Sequence, residues 1–164
     1  MSLIWLTGFS GSGKSTIAEA FHQINEAPVL DGDKVRERLE KGHIHGVEGQ
    51  SHNLQAVIGI AKELLETTPC VIAAFVSPNK ELRERVKKEI ESDGYRFILV
   101  HVQASIEACR SRDPKSLYQR LTNGEEIKLA GINVSYDIPK NPDVICKTEE
   151  MSAERCAQEI LKQI

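Results

Sequence analysis

The chain has 164 residues, of which 40% are hydrophobic and 27% are charged. These values are typical of a globular domain with a continuous core, and they exclude a wholly disordered chain. The formal net charge of -3 argues against a general nucleic-acid binder, which needs a basic face for phosphates. We therefore expect a single domain over residues 1–164 that binds no nucleic acid.

Cysteine spacing and hydropathy do not indicate a zinc-binding, redox or membrane protein. Cys70, Cys109, Cys146 and Cys156 form no C-x-x-C pair, so their spacing favours buried thiols over a zinc or thioredoxin-like site. The first residues carry no secretory signal, and the apolar run from Cys70 to Val76 is far shorter than the ~20 residues of a membrane helix. We expect a cytoplasmic protein with no membrane partner.

Strand and helix patterns alternate in the first part of the chain. The apolar run from Leu3 to Thr7 predicts a strand, and a Gly-rich turn leads from it into helical spacing. A second short strand, Val29-Leu30, is followed by Asp31-Gly32-Asp33, where Asp33 is a candidate helix N-cap. The apolar spacing from Leu54 to Leu65 then predicts an amphipathic helix.

The alternation continues in the second part. Cys70 to Val76 predicts a central strand that is buried on both faces, and Ser77-Pro78 is the pattern of an N-cap and first helical residue. Phe97 to Val102 predicts another strand, Ser105 caps a short helix, and Val144 to Cys146 predicts a last strand before a helix. Parallel strands need helix-length crossovers, so this order predicts an α/β fold with a parallel sheet and helices on both faces.

Two segments lack the spacing of a helix or a strand. Lys41 to Ser51 is rich in Gly and His, and Arg112 to Pro142 carries prolines and loop-forming glycines. Long irregular segments inside a compact domain are usually functional lids or binding loops. We expect a lid over about residues 112–142.

The stretch GFSGSGKST is the strongest chemical signal in the sequence. It meets the pattern G-x-x-x-x-G-K-[ST] between a predicted strand and a predicted helix. Its glycines let backbone N–H groups turn toward phosphates, Lys14 carries charge to the terminal phosphates, and Ser15 is the predicted Mg²⁺ ligand. The residues of this loop predicted to bind ATP are Gly8, Ser10, Gly11, Ser12, Gly13, Lys14, Ser15 and Thr16.

The phosphate-binding loop alone does not define the class of P-loop protein. A GTPase needs an N-K-x-D guanine reader, and the nearest match, Asn79-Lys80-Glu81-Leu82, ends in a leucine. A motor or a large ATPase needs a much longer chain. The sequence therefore favours a small-molecule kinase.

Five segments together resemble the adenylylsulfate (APS) kinases, which phosphorylate the ribose 3′-hydroxyl of APS. They are GFSGSGKSTIA, LDGDKVR, AAFVSP, CRSRDPKSLY, and AGI followed by Tyr136 and Pro139. The resemblance covers nearly the whole chain. It implies a three-layer α/β P-loop NTPase fold with a central parallel sheet, a mobile lid, ATP as co-substrate, Mg²⁺ and a small-molecule nucleotide acceptor. Dimers are frequent in the family, which leaves a homodimer open.

The resemblance also implies roles for single residues. Asp31 matches the acidic residue beside the attacking hydroxyl, where a carboxylate can accept or orient the acceptor's proton. Asp31 and Lys14 are thus the predicted catalytic residues, although Asp31 could instead only form the turn in Asp-Gly-Asp. Arg112 matches the arginine that contacts the ATP base. The predicted acceptor-binding residues are Asp33, Arg36, Asn53, Ser77 and Lys128, each of which has an ordinary alternative as a cap, a helix start or a solvated charge.

The resemblance weakens on the acceptor side. The stretch from Gly49 to Ala56 retains Asn53 but lacks the arginines of the family, and Leu129 stands where the family has an aromatic residue against the acceptor base. Several kcal/mol of acceptor binding would be lost if each missing contact contributes ~1–3 kcal/mol. Candidate replacement contacts are His43, His45 and His52.

Three hypotheses on function follow. The first is an ATP- and Mg²⁺-dependent kinase that phosphorylates the ribose 3′-hydroxyl of a nucleotide, with APS as the default acceptor. The second is a relative that acts on another activated nucleotide, such as a cytidine diphosphoramidate in capsule biosynthesis, because a pyrimidine needs less stacking surface than adenine. The third is a nucleotide-binding regulatory protein without turnover.

Overall fold

The computed structural model describes residues 1–33, 35 and 47–164, and for 47–53 it describes the backbone alone. The strands are β1 Ser2–Thr7, β2 Val29–Asp31, β3 Cys70–Ala74, β4 Arg96–Gln103 and β5 Val144–Lys147. The described helices are α1 Lys14–Asn25, α2 Val47–Leu65, α3 Lys80–Ser92, α4 Ile106–Arg112, α5 Leu117–Thr122 and α6 Ala153–Leu161.

The strands form a sheet in the order β2-β3-β1-β4-β5, in which every neighbouring pair is parallel. The central strand β1 pairs Leu6 with Ala74 of β3 and Thr7 with His101 of β4. All six residues of β1 and all five of β3 are buried, as expected for strands covered on both faces. The predicted parallel α/β sheet is confirmed.

Apolar side chains pack on both faces of the sheet. Ile4 and Leu6 of β1 pack with Phe21 of α1, in a cluster that also includes Ile160 of α6. On the other face, Trp5 packs in a cluster with side chains of α2 and α3. Because successive side chains of a strand point to opposite faces, this alternation builds two cores and three layers. The predicted three-layer architecture is confirmed.

The start of α3 differs from the prediction. Ser77-Pro78 does not begin this helix; its N-cap is Asn79, whose side chain accepts hydrogen bonds from the amides of Glu81 (2.9 Å) and Leu82 (3.3 Å). The hydroxyl of Ser77 instead accepts a hydrogen bond from Trp5 Nε1 at 3.0 Å. Strand β3 also ends at Ala74, before the predicted end.

The N-cap predicted at Asp33 is wrong: Gly32 and Asp33 are already helical, and the amide of Asp33 donates a hydrogen bond to Asp31 Oδ1 at 2.9 Å, so Asp31 is the cap. The predictions on Ser105 and on the cysteines are confirmed. The Ser105 hydroxyl accepts a hydrogen bond from the amide of Ala108 (3.1 Å) and caps α4. The cysteines are all free and buried. Residues 112–142, for which a lid stays a prediction and which are called the lid below, contain the short helix α5, and their Tyr118 and Leu129 are buried in a cluster with Cys109. In the described part of the chain, no helix has the length and apolar character needed to cross a bilayer.

Candidate active site

A cavity of about 790 Å³ opens where the carboxyl ends of β1, β2 and β3 meet. Ligands of open α/β sheets bind at this edge of the sheet, because the loops that follow the strands converge there. The walls come from segments far apart in the sequence. They include the loop before α1, Asp31 to Asp33, Phe75 to Asn79, Arg112 to Lys115 and Val134 to Asp137.

The loop between β1 and α1 has the backbone shape of a phosphate cradle. Gly13 has φ +105° directly before the first residue of α1, a conformation that side chains disfavour. A Cβ on Gly8 would lie 2.4 Å from the carbonyl oxygen of Val102, so only glycine fits against β4 there. The loop thus lies tight against the sheet, with the helix N-terminus behind it, as the sequence predicts.

Lys14 is buried and points back into the loop. Its Nζ donates hydrogen bonds to the carbonyl oxygens of Gly8 (2.9 Å) and Phe9 (2.7 Å). Burial, together with the positive charge of Lys115, lowers the pKa of Lys14 to about 8, against smaller opposing effects of Cys109 and Asp31. A cation that is held on two carbonyls beside a phosphate cradle can transfer these bonds to phosphate oxygens when nucleotide binds.

Asp31 and Ser15 meet at the centre of the cavity. Ser15 Oγ donates a hydrogen bond to Asp31 Oδ2 at 2.5 Å, and the other carboxylate oxygen, Oδ1, accepts one from the amide of Asp33 at 2.9 Å. A hydroxyl and a carboxylate are hard oxygen ligands, and Mg²⁺ in kinases is usually held by one or two such groups together with substrate phosphates. No group of three or more potential metal ligands occurs among the described side chains.

Arg112 holds the phosphate-binding loop to the end of β5. Its guanidinium donates hydrogen bonds to the carbonyl oxygens of Gly11 (3.4 Å) and Ser12 (3.3 Å) and to both the hydroxyl (2.9 Å) and the carbonyl (3.0 Å) of Thr148. The hydroxyl of Thr148 donates in turn to the carbonyl of Ser12 at 2.8 Å. Arg112 thus lies beside the phosphate-binding loop, and its contact with the ATP base stays a prediction.

Tyr118 of the lid adds a second support to this loop. Its hydroxyl donates a hydrogen bond to the carbonyl of Ser10 at 2.8 Å. Burial raises the pKa of Tyr118 to about 12, so the hydroxyl keeps its proton and stays a donor. Sequence reasoning assigned no role to Tyr118 or Thr148, although Tyr118 ends the segment CRSRDPKSLY, because residue type and spacing do not show a contact with backbone carbonyls of the loop.

On the acceptor side, the structure brings Asp33 and Ser77 to the cavity wall. The Asp33 carboxylate forms an ion pair with Lys115 at the start of the lid. Ser77 has φ +44°, a strained conformation for a non-glycine residue. Such strain is often found at functional sites, where the surrounding contacts hold it in place.

Two aromatic rings line the same part of the cavity. Trp5 and Phe75 stack with their ring centroids 4.9 Å apart and an interplanar angle of 13°. Sequence reasoning did not assign either ring to the site, although Phe75 belongs to the segment AAFVSP. Trp5 is only 2% exposed, so Phe75, which is half-buried, provides the apolar surface on which a base can stack.

Of the remaining predicted acceptor residues, Lys128 alone has a described side chain, and it is not among the residues that line the cavity. Lys128 is exposed, and Leu129 is buried in the lid cluster with Tyr118. The predictions on Arg36, His43 and His45, and on the side chains of Asn53 and His52, lie outside the described residues. Their roles stay predictions.

The fold and the site together define the class of protein. A parallel three-layer sheet, a phosphate-binding loop with its lysine, and a carboxylate beside the loop's serine are the parts of a P-loop kinase. The second half of the cavity leaves room for an acceptor next to the nucleotide.

Comparisons with known proteins identify the family. Residues 1–147 match the family model described as adenylylsulphate kinase. The adenylyl-sulfate kinases of Bacillus licheniformis and Staphylococcus epidermidis are 39% and 36% identical to this chain, over 99% of its length and 84% and 83% of theirs. An APS kinase of Mycobacterium tuberculosis, solved in complex with AMPPNP and APS, is 30% identical with a TM-score of 0.90, and covers 98% of this chain and 95% of its own.

The chain therefore belongs to the adenylylsulfate kinase family, as its motifs predict. It is a kinase, a phosphotransferase with a hydroxyl group as acceptor.

Proposed function

We propose that this protein transfers the γ-phosphoryl group of ATP to the ribose 3′-hydroxyl of APS. The observation that carries the proposal is the contact between Ser15 and Asp31, which brings a hydroxyl for the metal and a carboxylate for the acceptor to one point beside the phosphate cradle. The named relatives are adenylyl-sulfate kinases, so the comparisons do not favour a different nucleotide acceptor or a regulatory protein without turnover.

On the donor side, the loop amides and Lys14 would bind the phosphates of ATP. Mg²⁺ that binds with ATP supplies positive charge to the transferring phosphoryl group, and Ser15 would hold it. Arg112 holds the phosphate-binding loop against the end of β5, where the nucleotide base would lie. Catalysis then depends mainly on positioning and charge, since phosphoryl transfer needs little covalent chemistry from the protein.

On the acceptor side, Asp31 would orient the attacking hydroxyl and accept its proton. Its carboxylate already accepts hydrogen bonds from a hydroxyl and an amide, so it can exchange the Ser15 hydroxyl for that of the substrate. Asp33, Ser77 and Phe75 line the adjacent wall, and Phe75 offers a ring on which the acceptor base can stack. A cytoplasmic location and a homodimer remain part of the proposal.

An ADP-release assay with a panel of acceptors tests the substrate. We expect kcat/KM to be highest for APS among APS and a set of cytidine and uridine diphosphate derivatives. A higher value for one of the other nucleotides would contradict APS as the acceptor. No ADP release with any of them would contradict the proposed reaction.

The Asp31→Asn variant tests the role of the carboxylate. It keeps the shape of the side chain but removes the base, so we expect kcat for APS to fall by ~10²–10⁴-fold with little change in KM for ATP. Asp93→Asn is the matched control, because Asp93 is an exposed carboxylate paired with Lys62 outside the cavity. Normal turnover of Asp31→Asn would overturn the assignment.

A further inference from the structure

Arg83 is a buried cation that the proposed reaction does not use. It lies in the first turn of α3 and is only 4% exposed. Among the described side chains, no carboxylate lies within ion-pair distance of it. A buried guanidinium needs its N–H groups satisfied, so its partners indicate what it holds.

The partners of Arg83 are backbone carbonyls of two segments far apart in the sequence. Nη1 donates a hydrogen bond to the carbonyl of Ser77 at 2.5 Å, and Nη2 donates to the carbonyl of Asp137. The guanidinium also lies over the ring of Tyr136, with Cζ 5.7 Å from the ring centroid. One side chain thus joins the turn after β3 to the end of the lid, an arrangement we call the Arg83 clasp.

The two joined segments also contact each other directly. The amide of Asp137 donates a hydrogen bond to the carbonyl of Pro78 at 2.8 Å, and its carboxylate accepts one from the amide of Lys80 at 3.0 Å. Ser77 is the strained residue of this turn, and Arg83 bonds its carbonyl while Trp5 bonds its hydroxyl. The clasp therefore stabilises a conformation that the backbone would otherwise disfavour.

The clasp belongs to the acceptor half of the cavity. Ser77, Pro78 and Asp137 line the cavity, whereas Arg83 does not. The donor half has a separate support in Arg112 and Thr148, which share no hydrogen bond with Arg83. A change at Arg83 should therefore affect the two substrates unequally.

We infer that Arg83 is a positioning residue for the acceptor: it holds the Ser77-Pro78 turn and the end of the lid in the relative position that binds the acceptor nucleotide. The inference rests on the proposed function, because it takes APS as the acceptor. It assigns Arg83 no contact with either substrate.

Kinetics of the Arg83→Lys variant test this inference. Lysine keeps the charge but cannot bond both carbonyls in the fork geometry of arginine. We expect KM for APS to rise about tenfold while KM for ATP stays within about twofold. Arg85→Lys is the matched control, since Arg85 is an exposed residue of the same helix that pairs with Glu89. Equal rises in both KM values, or no rise in either, would overturn the inference.

Hydrogen exchange tests the clasp without any substrate. In the wild-type protein, the amides of Asp137 and Lys80 should exchange slowly, and Arg83→Lys should increase their exchange while Thr148 on the donor side is unchanged. Tyr136→Phe should leave both amides protected, because it removes only the hydroxyl contact with Thr7. Fast exchange in the wild type, or equal loss of protection in Tyr136→Phe, would overturn the role of Arg83.

The two experiments separate failure of the clasp from failure of the proposed function. A wild-type protein that does not turn over APS contradicts the function, and the exchange data then decide the clasp alone. A wild-type protein that turns over APS, with an Arg83→Lys variant that has unchanged exchange, contradicts the clasp alone.

Discussion

The donor and acceptor halves of the cavity are built in different ways. The donor half is one continuous stretch, Gly8 to Thr16, and Arg112 and Tyr118 support it by bonding its carbonyls. The acceptor half combines the end of β2, the turn after β3 and the end of the lid. Arg83 joins the turn after β3 to the end of the lid, and the Asp33–Lys115 ion pair joins the end of β2 to the start of the lid. A contiguous loop can keep its backbone shape when neighbouring segments change. A wall built from three separate segments changes when any one of them moves. The two halves should therefore respond differently when the residues that support them are substituted.

Lys14→Met gives the largest expected effect and tests whether the donor half binds the phosphates of ATP as proposed. Removal of the cation that neutralises the transferring phosphates should lower kcat by ~10³-fold or more. The variant should stay folded, because methionine fills the buried space without leaving a charge. Lys87→Met, an exposed residue of α3 that pairs with Glu91, serves as control. ADP release measures kcat, and thermal melting shows whether the variant is folded. Near-normal turnover would contradict the role of the loop.

Arg112→Lys gives an intermediate effect and tests whether the halves are separable. The variant loses the fork that bonds Ser12 and Thr148 together, so we expect KM for ATP to rise about tenfold and KM for APS to change less than about twofold. This is the reverse of the expectation for Arg83→Lys. Arg110→Lys, exposed on the same helix, is the control. If Arg112→Lys and Arg83→Lys raised the same KM, the distinction between the halves would be wrong.

The pH dependence of ADP binding gives the smallest expected effect. Because the pKa of Lys14 is lowered to about 8, raising the pH removes the positive charge that attracts phosphates, and affinity falls. Between about pH 7 and about pH 8.3 we expect the Kd of ADP, measured by calorimetry with Mg²⁺, to rise about threefold. Lys14→Arg keeps its charge over this range and should lose the pH dependence. A Kd that is constant with pH in the wild type would contradict the role of Lys14 burial.

Local patterns were sufficient for most of the fold. The period of the apolar residues predicts the strands and helices, and their alternation predicts the parallel sheet, since short connections cannot join parallel strands. Ser105 was correctly predicted as a cap because capping depends on a few neighbouring residues. The phosphate-binding loop was predicted for the same reason, as its glycines, lysine and serine are contiguous.

Where the local prediction was wrong, a distant residue decided the outcome. Ser77-Pro78 has the pattern of a helix start, yet Trp5, 72 positions away, bonds the Ser77 hydroxyl, and Asn79 caps the helix instead. Arg83 likewise carries no sequence signal, because a charged residue on a helix is usually solvated. Arg83 is buried because the lid packs against the turn after β3, and this packing is not apparent from the sequence.

The amino-acid sequence by itself determined the class of fold, the phosphate-binding loop and the family, because each depends on residues that are contiguous or regularly spaced. Only the tertiary structure decided which residues form the acceptor wall and what supports it. Hydrogen bonds from Arg83, Trp5 and Thr148 reach backbone and side-chain atoms that are distant in sequence, and a partner chosen by three-dimensional packing leaves no pattern along the chain.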